Sequence, residues 1–280
     1  MSDLPTSDRI DAENENALAE MLWEIEASQG LFKPMLAHCN YLALREYLVG
    51  QLRQRCEADI RELFLHPSAT KLFSTLRSEI GDDRPSAVMV FGLESVQNLD
   101  RFLSLANWMR NEFQVQCPYP LVLWVNDEVV AKLIRLAPDF ADFCTSAEFA
   151  IAPGNLIFEI RKASDRLFSV VLATGSDRFP PNPTIFGPEY ASELRAALRD
   201  LQEYGQSLPP QLEASYLFAL GRDAYLDDKM DEALDFYDRS LEFWQRAAEV
   251  LEIDAKTREN LDLKTGVLLC DMGLCHARRG

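Results

Sequence analysis

The sequence predicts an α/β domain built in three layers on a five-stranded, mostly parallel sheet, followed by an all-α helical domain. The runs Ala87-Val88-Met89-Val90-Phe91 and Leu121-Val122-Leu123-Trp124-Val125 are apolar at every position, which suits strands buried on both faces, as in a parallel sheet. These runs alternate with stretches of helical spacing, the mark of βαβ units. Beyond Asn155 the strand-like runs cease and only helical periodicity remains.

In chain order, residues 1–12 are polar and are expected to be disordered, and residues 13–173 to form the α/β domain. Ala17, Met21, Leu22 and Ile25 make a helical stripe ending near Gly30. The run Lys33–Cys39, stopping at Asn40, predicts a first strand. Leu44, Leu48 and Leu52 then recur at every fourth residue, one stripe of a helix, with Asn40 placed to cap it. Residues 60–65 alternate as a short strand, and Leu72, Leu76 and Ile80 mark the next helix, stopped at Gly81. After the Ala87 strand comes a helix over Leu99–Phe113, broken by Pro118 and Pro120. The Leu121 strand, a short helix over Val129–Leu136 and a fifth strand over Ala147–Ile151 complete the set. Five strands favour an open doubly wound sheet over a barrel. Residues 174–188 carry Pro180, Pro181, Pro183 and Pro188 and read as a linker. Residues 189–280 read as helices over about 189–206, 210–226, 230–252 and 256–279.

Composition narrows the function. A hydrophobic share of 48% supports a sizeable core. The net charge of −17 argues against nucleic acid and anionic membranes as partners and, weakly, for a basic one. No apolar run approaches the ~20 residues of a membrane span, and the acidic start lacks the regions of a signal peptide, so a cytoplasmic protein is expected. The six cysteines form no C-x-x-C pair and read as reduced, mostly buried thiols.

The strand–turn–helix at Met35–Leu52 has the shape of a nucleotide-binding turn, with a helix N-terminus aimed past a strand end. A phosphate loop needs G-x-x-x-x-G-K-[ST], yet not one of the 12 glycines is followed by lysine. His38 and Cys39, neighbours on a strand, point to opposite faces and cannot act as a thiol–imidazole pair. Asp127 and Glu128 follow a buried strand, where they can either hold a metal or complement a helix dipole. Cys270, Cys275 and His276 do not have zinc spacing. No catalytic, cofactor or metal residue is assigned.

The helical half carries a repeat signature. Leu220-Gly221, Ala233 and Tyr237, with Leu217 ahead and Ser240 behind, match the spacing of a tetratricopeptide hairpin, in which small residues let two helices approach closely. A second start at Leu269, Met272-Gly273 and His276 lies well beyond the standard ~34-residue repeat, and suggests the front part of a longer repeat protein.

Together these segments resemble bacterial STAND-type signalling proteins, in which a P-loop NTPase-like module precedes tetratricopeptide repeats, and within them a degenerate branch that lacks the phosphate loop. The likeness rests on Leu36-Ala37-His38-Cys39-Asn40 with Leu44-Arg45, on Val90-Phe91-Gly92-Leu93-Glu94, and most fully on Pro118 to Trp124 through Leu136-Ala137-Pro138-Asp139-Phe140. In active relatives an acidic pair at the end of the third strand holds Mg²⁺. Gly92 stands in the Asp position here and Glu94 is displaced, so hydrolysis does not carry over. The resemblance implies a pseudo-ATPase domain without a cofactor, acting as an adaptor or signalling scaffold that binds protein partners through its helical repeats. Tyr216, Arg222, Asp223 and Tyr225 are the expected wall residues of the docking groove, since aromatics and Arg supply binding hot spots. The acidic run from Asp223 to Asp238 coats solvent or docks a basic segment. The alternatives are a weak nucleotide-binding regulatory switch or an ATPase with a non-standard site. A purely intramolecular role for the repeats and self-association through the last helix are further possibilities.

Overall fold

In the computed structural model, which describes residues 6–56, 59–81, 83–174, 179–187, 189–250 and 255–279, the chain divides into two compact units, Met1–Ala152 and Pro153–Gly280. The first holds an all-parallel sheet of β1 (Lys33–Cys39), β2 (Ile60–Phe64), β3 (Ala87–Phe91), β4 (Pro120–Val125) and β5 (Thr145–Phe149), in the order β2-β3-β4-β1-β5. Every residue of β3 and β4 is buried, whereas the edge strands β2 and β5 alternate between covered and open positions. This follows from position in the sheet: inner parallel strands have helices on both faces, and edge strands face water on one side.

The first unit's helices are α1 (Thr6–Ala27), α2 (Leu42–Arg55), α3 (Leu72–Ile80), α4 (Leu99–Trp108), α5 (Arg110–Gln116), α6 (Asp127–Leu136) and α7 (Pro138–Ala141). On one face, Leu36, Val88, Val90, Leu121 and Leu123 pack with α3, α4 and α6 through Leu76, Phe102 and Leu133. On the other, α1 lies against β5 and α2 against β1. Rings cross that second face in a ladder: Phe64 on Phe91 at 4.8 Å, Phe91 on Trp124 at 6.1 Å, and Trp124 on Phe149 at 6.0 Å. The last step passes over β1, where Ala37 pairs in register with both Trp124 and Ala147 and its single methyl leaves room for the rings to meet.

Several sequence expectations need correction. Helix α1 begins at Thr6, inside the stretch expected to be disordered, because Ile10 joins Leu18, Met21 and Ile25 on one buried stripe. The helix expected over Leu99–Phe113 resets at Met109 into α4 and α5. The fifth strand lies two residues earlier than expected, at Thr145–Phe149.

The second unit comprises α8 (Pro153–Thr174), α9 (Asn182–Phe186), α10 (Tyr190–Glu203), α11 (Pro210–Leu226), α12 (Met230–Val250) and α13 (Ala255–Arg279). Helix α8, expected with the sheet, belongs here: Leu167, Phe168 and Val171 share a core with α11 and α12, and the Phe168 ring stacks on Phe218 at 4.8 Å. The stretch expected as a linker includes α9, which Pro183 starts and whose Asn182 and Ile185 are buried. Residues 175–178 and 188 of that stretch lie outside the described residues. Helices α11 and α12 meet at the small residues the repeat spacing singled out. A Cβ on Gly221 would lie 2.5 Å from the Tyr237 ring. Ala233 and Tyr237 are fully buried, and Ser240 Oγ donates to the Ala214 carbonyl at 2.6 Å.

Candidate functional site

The strand order locates the candidate site. The connection after β1 runs to β2 at one edge of the sheet, and the connection after β4 passes over β1 to β5 at the other. Where connections from adjacent strands diverge, a crevice opens at their C-terminal ends, and this is where α/β sheets bind ligands. Here that crevice lies between the ends of β1 and β4.

Protein side chains occupy it. Asn40 Oδ1 accepts from the Asp127 backbone N–H at 3.0 Å, tying the two loops together. It therefore does not cap α2 as expected; Tyr41 occupies that position without a side-chain cap bond. Asn126 caps α6 by accepting from Val129 N at 3.0 Å. Asp127, in the first turn of α6, accepts from His38 Nε2 at 2.7 Å, and Glu148 Oε1 on β5 lies 3.4 Å from His38 Nδ1. One imidazole thus links the ends of three neighbouring strands, with a carboxylate at each ring nitrogen.

The hydrogen bond to Asp127 raises the His38 pKa above its ordinary value, burial works against this, and the charges of Asp127 and Glu148 add to the rise. A folded pKa above the unfolded ~6.5 means stabilisation that is complete below that pH and is lost as pH rises through the folded value. His38→Gln is accordingly expected to lower the urea midpoint at about pH 6 and to converge on the wild type at about pH 9. A midpoint difference that grows toward alkaline pH would contradict this linkage.

The second pair sits at the start of α2. Arg45 Nη1 donates to Glu94 Oε1 at 2.8 Å, and both side chains are 9% exposed. Gly92 makes the pair possible. It turns the chain out of β3 at φ 82°, and the place a Cβ would take is 3.3 Å from the Leu65 carbonyl oxygen. A left-handed conformation against a backbone atom suits glycine, and the 3₁₀ turn Leu93–Ser95 that follows carries Glu94 to Arg45. Glu94 Oε2 is buried without a hydrogen-bond partner among the described residues. Among those residues, no three His, Cys, Asp or Glu side chains converge as a metal site. His38 and Arg45 in the crevice are each paired with carboxylates.

In the helical unit, Arg222 is fully buried and does not form part of an open groove wall. Its Nε donates to Asn182 Oδ1 at 3.2 Å, its Nη2 to the Pro180 carbonyl at 2.7 Å and its Nη1 to Asp271, and its guanidinium lies 3.9 Å from the centre of the Phe179 ring. Asp223 accepts from Asn182 Nδ2 at 2.8 Å, and burial raises its pKa. The Tyr225 ring packs on Phe179 at 4.6 Å, and the Arg278 guanidinium lies 5.1 Å from the Tyr225 ring centre. Arg222, Asp223 and Tyr225 therefore fasten the segment around Phe179–Asn182 and helix α13 to α11. Tyr216, of the expected wall residues, lines a groove about 290 Å³ in volume with Leu198, Leu201, Leu208 and Glu213.

Sequence reasoning missed His38–Asp127 and Arg45–Glu94 because each joins residues on different elements, far apart in the chain. The signal that could have found them was placement: each residue follows or ends a predicted strand at the C-terminal edge. Among the cysteines, all free, Cys39, Cys56, Cys117 and Cys275 are buried as expected, Cys144 is partly so, and Cys270 is exposed. No described helix is long and apolar enough to cross a membrane. No protein-family model matches this chain, and no curated protein or solved structure is detectably similar to it.

Proposed function

We propose that this chain is a non-catalytic protein–protein interaction adaptor or signalling scaffold, in which a pseudo-ATPase-type α/β domain accompanies a tetratricopeptide-like docking unit. The observation that carries this reading is the buried Arg45–Glu94 pair. A phosphate-transfer site needs a free cation for the phosphates and a free carboxylate for the metal. Here the two groups nearest those roles neutralise each other. The alternative, a weak nucleotide-binding switch, draws support from Glu94 Oε2, whose buried oxygen has no described partner and so keeps one acceptor for a cation.

For docking, the structure's own assignment of Arg222 to the interior leaves the α10–α11 groove around Tyr216 as the surface on which this reading relies. Glu213 on its wall and the net charge of −17 fit a partner segment with basic and apolar side chains. Self-association through α13 is a subordinate proposal, supported by the exposure of Leu263 and Leu269 and the open space over Gly266 and Gly273. To test the groove, affinity capture is run with the full chain and with Tyr216→Glu. The expected result is a partner recovered by the wild type and lost by the variant at unchanged melting temperature. Equal recovery by both removes the groove from the account.

A further inference from the structure

A second concavity in the helical unit, about 360 Å³ in volume, opens where four helices converge. Arg161 and Asp165 of α8, Leu212 of α11, Trp244 of α12, and Leu261 and Lys264 of α13 line it. That volume is within the ~300–1,000 Å³ of small-molecule sites, and the residues around it are unusual in what they leave unpaired. The Trp244 side chain is 2% exposed, and its indole N–H has no acceptor among the described residues. Ser164 stands on the same face of α8 as Arg161, Asp165 and Phe168, at the i, i+3, i+4, i+7 positions. It is 7% exposed, and its hydroxyl has no partner among the described residues either.

Charge points the same way. Lys264 is 13% exposed, with its ammonium 4.8 Å from the centre of the Phe168 ring and 5.2 Å from that of Trp244. Its carboxylate partner, Asp165, is 3.4 Å away but 62% exposed, so water screens the pair. No carboxylate among the described residues pairs with Arg161. Two cations and one anion give the wall a net positive charge in a protein whose overall charge is −17. Leu212, Leu261 and the Trp244 ring supply an apolar floor.

We infer that this cleft binds a small monocarboxylate with an apolar body. Its carboxylate would pair with Lys264 and Arg161, and its apolar part would lie on Leu212, Leu261 and the Trp244 ring. A single negative charge balances the cleft. The inference stands apart from the adaptor reading, since it uses neither the Tyr216 groove nor the sheet.

The test is titration of the full-length protein, followed through tryptophan indole N–H resonances. There are four tryptophans, and Trp244→Phe identifies the resonance that matters. With 3-phenylpropionate as probe, that resonance is expected to shift saturably below about 10 mM. The neutral 3-phenylpropanamide, and the acid with Lys264→Met or Arg161→Gln protein, are each expected to bind at least about tenfold more weakly. The two variants give independent readings if one of them does not fold. No saturable shift with the acid, equal binding of the amide, or inorganic phosphate binding as tightly as the acid would each overturn the assignment. Tighter binding of the tripeptide Ala-Ala-Phe than of 3-phenylpropionate would overturn the small-acid form in favour of a chain terminus.

Discussion

Replacing Arg222 with methionine is expected to destabilise the helical unit by about 3–5 kcal/mol, the cost of breaking a buried ion pair from one side. Arg222 is fully buried and Asp271 nearly so. Without the guanidinium, the Asp271 carboxylate is left in an apolar surrounding that already pushes its pKa upward, with no cation to oppose the push. Asn182 and the Pro180 carbonyl lose their donors at the same time. The double variant Arg222→Met/Asp271→Leu removes both charges and is expected to recover most of the loss, because buried pairs can often be exchanged for apolar side chains of similar volume. Urea denaturation of the full chain measures both. A single-variant loss below about 1 kcal/mol, the worth of an exposed pair, would mean that water reaches Arg222 in solution.

Gly221→Ala is expected to cost about 1–3 kcal/mol, the range for overpacking a filled interior. The added methyl would stand 2.5 Å from the ring of Tyr237, which is itself fully buried and cannot swing into solvent. Helices α11 and α12 must then move apart, which loosens Ala233 and the Ser240 bond to the Ala214 carbonyl. Gly221→Ala combined with Tyr237→Leu gives the methyl space. The cycle is expected to show coupling of about 1 kcal/mol or more, as neighbours in contact do. Strict additivity would show that close approach at this point is not what the glycine provides.

The sheet was legible because two of its inner strands, β3 and β4, are apolar at every residue, a pattern that needs no long-range knowledge. The close contact of α11 with α12 was legible too, since Gly221, Ala233 and Tyr237 carry its spacing. What could not be read was which polar groups find each other. Asn40 has the composition of a cap, but its oxygen is taken by the N–H of Asp127. Local pattern cannot weigh a bond that only the fold creates. Arg222 has the chemistry of an interface residue, and nothing near it announces that Asp271 waits on α13. The segment around Asn182 read as a linker on its prolines, although Pro183 starts a helix there and Arg222 needs Asn182 as a partner. The strand–turn–helix at Met35–Leu52 pointed to the end of β1, but the pairs found there join residues far apart in the chain.

The account rests on the Arg45–Glu94 pair closing the switch-point crevice. The most direct measurement is phosphate release from ATP with Mg²⁺, made on the wild type and on Glu94→Gln under the same conditions. The account predicts no release above the no-protein control from either protein. Turnover by the wild type that Glu94→Gln abolishes would contradict it, because Glu94 would then be holding a metal rather than Arg45.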